Sequence, residues 1–164
     1  MVKLFLTDVD GCLTDGGMYY TAEGETMKRF YVYDGMGMVL LQQAGIPCGI
    51  LTSEQSAIVK ARAEKLKLEF LYLGVGSRVN AGCLTKLEAA KQICDKLDIS
   101  LEEVCFVGDD VNDVDLLGAV GYPCCPPNAR PEVKAVPGIR VLKTPGGQGA
   151  VREITDEILK GLVG

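Results

Sequence analysis

The 164-residue chain contains no histidine. That absence excludes Ser-His-Asp and Cys-His nucleophile systems, histidine-ligated zinc or haem, and imidazole acid/base chemistry, so any reaction must run on carboxylate, lysine, hydroxyl or thiol groups. Runs of basic residues are also missing: the longest is the pair Lys28-Arg29, against a formal net charge of -5. A nucleic-acid partner is disfavoured, because phosphate neutralisation needs a basic face. The seven cysteines form no CxxC spacing and most sit in apolar surroundings such as Val104-Cys105-Phe106. They read as small core residues of a reducing cytoplasm rather than zinc ligands or disulfides. No apolar run approaches the ~18 residues of a membrane span, and Met1 leads at once into a strand carrying acids, unlike a signal peptide. The expectation is a cytoplasmic protein without membrane contact.

What is present is an alternation of short apolar runs with helical patterns. Strands are predicted at residues 3–7, 47–52, 69–73 and 104–107, and helices at 34–44, 55–67, 86–97, 113–120 and 153–162. This α/β order implies a parallel sheet covered on both faces, a Rossmann-like three-layer fold. Residues 1–164 read as one domain. Residues 17–33 break the rhythm, with Tyr19-Tyr20 and Phe30 to Tyr33 flanking Ala22-Glu-Gly-Glu25, and read as a β-hairpin projecting after the first strand. The Gly/Pro-rich stretches 122–131 and 145–149 read as loops.

Ligands in such sheets bind beyond the carboxyl ends of the strands. There the chain places Asp8-Val-Asp10-Gly11, Thr52-Ser53-Glu54 and Gly108-Asp109-Asp110-Val-Asn-Asp113, with Lys86 opening a helix between them. Asp8, Asp10 and Asp109 in one crevice would repel one another unless a cation neutralised them, and a histidine-free set of oxygen ligands suits Mg²⁺. Carboxylates, magnesium, a hydroxyl and a lysine make a site for a phosphoryl group. One carboxylate can attack phosphorus while a neighbour two residues on passes the protons; Thr52 and backbone N–H groups orient the phosphoryl oxygens.

In order, Asp8-Val-Asp-Gly11, Thr52, Lys86 and Gly108-Asp-Asp-x-x-Asp113 resemble the four motifs of the haloacid dehalogenase superfamily of phosphohydrolases. The resemblance implies Asp8 as nucleophile, Asp10 as general acid/base, Thr52 and Lys86 as phosphate binders, and Mg²⁺ held by Asp8, the Asp10 carbonyl and Asp109, with Asp110 and Asp113 supporting; Ser53, standing where the family commonly has glycine, joins the candidate phosphate binders. The intervals between motifs leave room for only a hairpin or one helix-strand unit, so the fold is expected to be capless. The stretches TDVDGCLTDGGMYY, Asp34-Gly-Met-Gly37, GDDVND and GGQGAVRE resemble the phosphatases of 3-deoxy-2-keto sugar acid phosphates. In that family a homotetramer covers each active site with a neighbour's hairpin and C-terminal tail, here about 144–164. Ser53-Glu54 with Arg62 and Lys65 resembles the nonulosonate 9-phosphate pattern more than the octulosonate 8-phosphate one, so the nine-carbon ester is the expected substrate. Arg152 and Asp34 join the candidate substrate contacts. Residues 76–84 look like extra length, and a shifted register would replace Lys86 by Lys91. Two other classes compete: a phosphate-accepting receiver domain and a non-catalytic oligomerisation module.

Overall fold

The computed structural model describes residues 1–79 and 82–163. Six parallel strands form the central sheet in the order β5-β4-β1-β6-β7-β8, with β1 Leu4–Thr7, β4 Cys48–Thr52, β5 Phe70–Leu73, β6 Val104–Val107, β7 Tyr122–Cys125 and β8 Arg140–Val141. Helices α1 (Val32–Gln43), α2 (Ala57–Leu66) and α6 (Ala150–Leu159) cover one face; α3 (Lys86–Leu97), α4 (Val114–Leu117) and α5 (Pro131–Lys134) cover the other. The pleat sorts the core: Phe5, Cys105 and Val107 face Met38, Leu41 and Ile154, while Leu4, Leu6, Val104 and Phe106 face Ala90, Ile93 and Leu116. Strand order reverses between β1 and β6, and a crevice opens at their carboxyl ends.

Local sequence explains most helix boundaries. Thr85 and Glu88 form a reciprocal capping box at the start of α3, and the Ser56 hydroxyl accepts from Val59 N at the start of α2. Helix α1 starts two residues earlier than its pattern implies, and α6 starts at Ala150 rather than residue 153.

The projecting hairpin is real but shorter than expected. Strands β2 (Tyr19–Thr21) and β3 (Gly24–Met27) pair antiparallel, and the chain then leaves the hairpin, with Phe30 packing on the core and Tyr33 already helical. Two strands were missed. Pro123 made residues 122–125 read as a loop, yet β8 pairs only Cys124 and Cys125, so no ladder partner needs the donor that Pro123 lacks. β8 itself is two residues long and exposed, too short for a periodic signal.

Six cysteines are buried and Cys83 is half-buried; all seven are free, as core thiols should be. Among the described residues no helix is long and apolar enough to cross a membrane.

Candidate active site

Strand β1 delivers Asp8 to the crevice, and Lys86 at the start of α3 reaches it from behind. Lys86 Nζ lies 2.8 Å from Asp8 Oδ2 and 2.6 Å from Asp113 Oδ1, with its side chain wholly buried. Lys91 is exposed, so the added length before α3 does not shift the register. Asp113 is fully buried, and its second oxygen accepts from the N–H groups of Asp109 (2.9 Å) and Asp110 (3.1 Å). Gly108 permits this, since a Cβ there would come within 2.6 Å of the Asp113 Cβ. Asp110 caps the 3₁₀ turn that carries Asp113, accepting from Val111 N at 2.7 Å.

The open crevice, about 390 Å³, is lined by Asp8, Asp10, Thr52, Ser53, Glu54 and Asp109 among others. Carboxylate oxygens of Asp8, Asp109 and Asp113 lie within 4.8 Å of one another. Burial, only partly offset by Lys86, raises the Asp8 carboxyl to about 7; burial together with the charges of Asp8 and Asp113 raises Asp109 to about 8. Carboxyls held that high lack positive charge, which a hard divalent cation at these oxygens would supply. Asp8 and Asp109 fit that role. Asp113 does not, because both its oxygens are already engaged. Lys86 shows the complementary balance: burial works against its charge, and Asp8 and Asp113 outweigh it to hold the ammonium raised. Cys12, 3.7 Å from Asp109 Oδ1, is pushed well up by burial and the surrounding carboxylates, so its thiol stays neutral and is no nucleophile.

Three residues escaped sequence reasoning. Lys28 places its buried Nζ 2.6 Å from Asp10 Oδ1; its only sequence sign is Glu25 three residues before it. Asn112, inside the Gly108 to Asp113 motif, donates to Ser53 Oγ at 2.5 Å across the crevice. Asn128 donates to Gly11 O at 2.9 Å and accepts from Gly146 N at 2.8 Å, tying two loops that no local pattern connects.

Four expected substrate contacts lie elsewhere in their own chain. Asp34 is buried at the start of α6, where its Oδ1 accepts from Arg152 N at 2.8 Å. The Arg152 side chain pairs with Asp156 at 2.7 Å. Arg62 stacks 5.6 Å over the Phe30 ring, and Lys65 is exposed near the distal end of α2 beside Gln42 and Gln43. The C-terminal segment is likewise engaged within its own chain: Gly147 N donates to Cys12 O at 3.1 Å, and a Cβ on Gly146 would overlap the Gly11 carbonyl. The Gly-Gly pair thus allows the tail to buttress the loop after β1.

A family model of haloacid dehalogenase-like hydrolases matches residues 52–143. The 3-deoxy-D-manno-octulosonate 8-phosphate phosphatase KdsC of Haemophilus influenzae is 35% identical over 159 residues, covering 97% of this chain and 83% of that protein. Its namesake from Escherichia coli K12 is 34% identical over 159 residues, 96% of this chain and 79% of that one. Among solved structures, the 3-deoxy-D-manno-octulosonate 8-phosphate phosphatase of Moraxella catarrhalis, in complex with magnesium, phosphate and KDO, superposes with a TM-score of 0.87 at 38% identity, over 97% of this chain and 86% of that one. The cobalt-bound Haemophilus influenzae phosphatase gives 0.88 at 34% identity, over 97% and 88%.

Proposed function

Because the chain belongs to the haloacid dehalogenase-like hydrolases, we propose that it is a Mg²⁺-dependent, single-domain phosphatase of a 3-deoxy-2-keto sugar acid phosphate, with 3-deoxy-D-manno-octulosonate 8-phosphate the favoured ester. The observation that carries the reading is Asp8 at the carboxyl end of β1, backed by Lys86 at 2.8 Å and facing Asp109 across the crevice.

In this reading Asp8 attacks phosphorus and the ester P–O bond breaks. Asp10 gives its proton to the departing sugar oxygen, then removes one from the water that opens the aspartyl phosphate, releasing inorganic phosphate and restoring Asp8. Lys86, held in place by Asp113, offsets charge on the phosphoryl oxygens; Thr52, Ser53 and adjacent N–H groups orient them. Asp8, Asp109 and the Asp10 carbonyl would hold Mg²⁺, which when bound supplies positive charge to phosphoryl oxygens and carboxylates alike.

The eight-carbon ester is favoured for two reasons. The named relatives reported above carry it in their names, and Arg62 and Lys65, the cations behind the nonulosonate 9-phosphate reading, lie outside their own crevice and would serve that ester only from an adjacent subunit. Glu54, on the crevice wall, keeps the nine-carbon ester as the second reading. Phosphate release from both esters separates them, with Asp8→Asn as control: activity surviving that substitution would refute the aspartyl-phosphate route. We further propose a homotetramer, because Tyr19, Tyr20 and Met27 of the hairpin and Tyr33 at the start of α1 are large apolar side chains left exposed. Light scattering that returns a monomer would exclude it. Buried free thiols suit a reducing cytoplasm as the compartment.

A further inference from the structure

Asp10 has a partner that the crevice does not supply. Lys28, the first residue after β3, is charged, yet its side chain is 0% exposed. An ammonium leaves water only when anions receive it. Two do so here: Asp10 Oδ1 accepts at 2.6 Å, and Glu25 Oε1 makes an ion pair at 2.6 Å without an aligned hydrogen bond. Glu25 Oε2 in turn accepts from Ser56 Oγ at 2.6 Å, the same hydroxyl that caps α2. A continuous polar path therefore runs from the start of α2, through the hairpin, to the second carboxylate of the Asp8-Val-Asp10 motif.

Lys28 does not line the crevice, and both of its ammonium partners are carboxylates, so it is not a phosphate ligand. Its neighbour Arg29 turns the other way, donating to Gly147 O at 3.1 Å. With Asp10 Oδ1 occupied, Oδ2 takes no hydrogen bond among the described residues and is the oxygen left for a reacting group. Without the cation, Asp10 and Glu25 would face each other as like charges and move apart.

We propose that Lys28 is a positioning residue for the hydrolysis: it holds Oδ1 of the Asp10 carboxyl as an acceptor, leaves Oδ2 to carry the proton given to the leaving oxygen and later taken from water, and makes that placement depend on the hairpin docking against α2. The inference rests on the acid/base reading of Asp10. It predicts a defect in proton transfer rather than in phosphate binding.

The Mg²⁺-loaded enzyme is assayed on 3-deoxy-D-manno-octulosonate 8-phosphate and, by rapid mixing, on p-nitrophenyl phosphate, whose phenolate departs without a proton. Lys28→Met is expected to lower kcat on the sugar ester roughly 100-fold with KM unchanged within about threefold. The p-nitrophenolate burst should keep its rate within about threefold, because its first step needs no acid. Lys28→Arg should recover most of the loss. Glu25→Gln, which keeps Lys28 and the hairpin but removes the tether's charge, should show the same split in weaker form, and it carries the test if Lys28→Met does not fold. Equal losses on the sugar ester and the burst, or a loss confined to KM, would overturn the proposal. So would wild-type behaviour of Lys28→Met and Glu25→Gln beside an Asp10→Asn enzyme inactive on the sugar ester. Full activity of Asp10→Asn would overturn the reading of Asp10 itself, and this inference with it.

Discussion

Replacing Lys86 by methionine keeps the length of the side chain and removes the cation that Asp8 and Asp113 share. All three side chains are out of solvent, at 0%, 9% and 0% exposure for Lys86, Asp8 and Asp113. Removing one partner of a buried ion pair costs about 3–5 kcal/mol. The lower end applies here, because the Asp8 carboxyl, already raised to about 7, can take a proton, and Asp113 keeps two N–H donors. For a chain of this length, about 3 kcal/mol lowers Tm by roughly 6–12 °C. Calorimetry in a chelating buffer measures that drop. Mg²⁺ adds a second readout: with a competing positive charge gone, the carboxylates should bind the ion more tightly, and Tm should respond at lower Mg²⁺ than in the parent. Phosphate release should fall all the same, by ~10²–10³-fold, since the charge that offsets the phosphoryl group is lost. A Tm drop under about 2 °C, or weaker Mg²⁺ binding, would refute the view that Lys86 is the electrostatic keystone of the cluster.

Two further perturbations test other parts of the structure. Burial holds the Asp34 carboxyl up at about 6, against 3.8 for a free one, with N–H groups of Arg152, Gly149 and Val151 pulling it down less strongly. The stability this carboxyl contributes is full below its unfolded value and fades as pH rises through its folded one, an effect of at most about 3 kcal/mol. Asp34→Asn should remove that dependence: melting curves at pH 4 and pH 7 should show the parent losing more stability than the variant, and a constant gap would contradict it. Gly11 has φ +84°, and a Cβ there would overlap Asp109 Oδ2. Gly11→Ala should therefore displace a proposed metal ligand and cost about 1–2 kcal/mol in backbone strain. The Mg²⁺ needed for half-maximal activity should rise, and an unchanged requirement would show that Asp109 has room to yield.

The proposed reacting groups were legible because each is announced locally. Asp8, Thr52 and Asp109 follow apolar strand runs, and Lys86 follows a capping box, so periodicity alone places them at the carboxyl edge of a parallel sheet. The surroundings of the expected substrate contacts were not legible in the same way. Arg62, Lys65, Arg152 and Asp34 carry suitable charge, but charge says nothing of which neighbour answers it. Within their own chain Arg62 meets Phe30, Arg152 meets Asp156 and Asp34 meets the start of α6, while Lys65 stays exposed. Strand β7 was missed because Pro123 is a breaker by local rule and harmless only where its strand neighbour is two residues long.

Sequence by itself determined the α/β alternation, the exclusion of imidazole chemistry by the missing histidine, and the order of the four motifs. Tertiary structure decided which polar groups meet: Lys86 between Asp8 and Asp113, Lys28 between Asp10 and Glu25, and Asn128 between Gly11 and Gly146. The reason is physical. A residue's tendency toward strand, helix or turn depends on its near neighbours along the chain, whereas a charge or amide removed from water must find its counterpart through space, and that counterpart lies wherever packing of the two faces of the sheet has brought it.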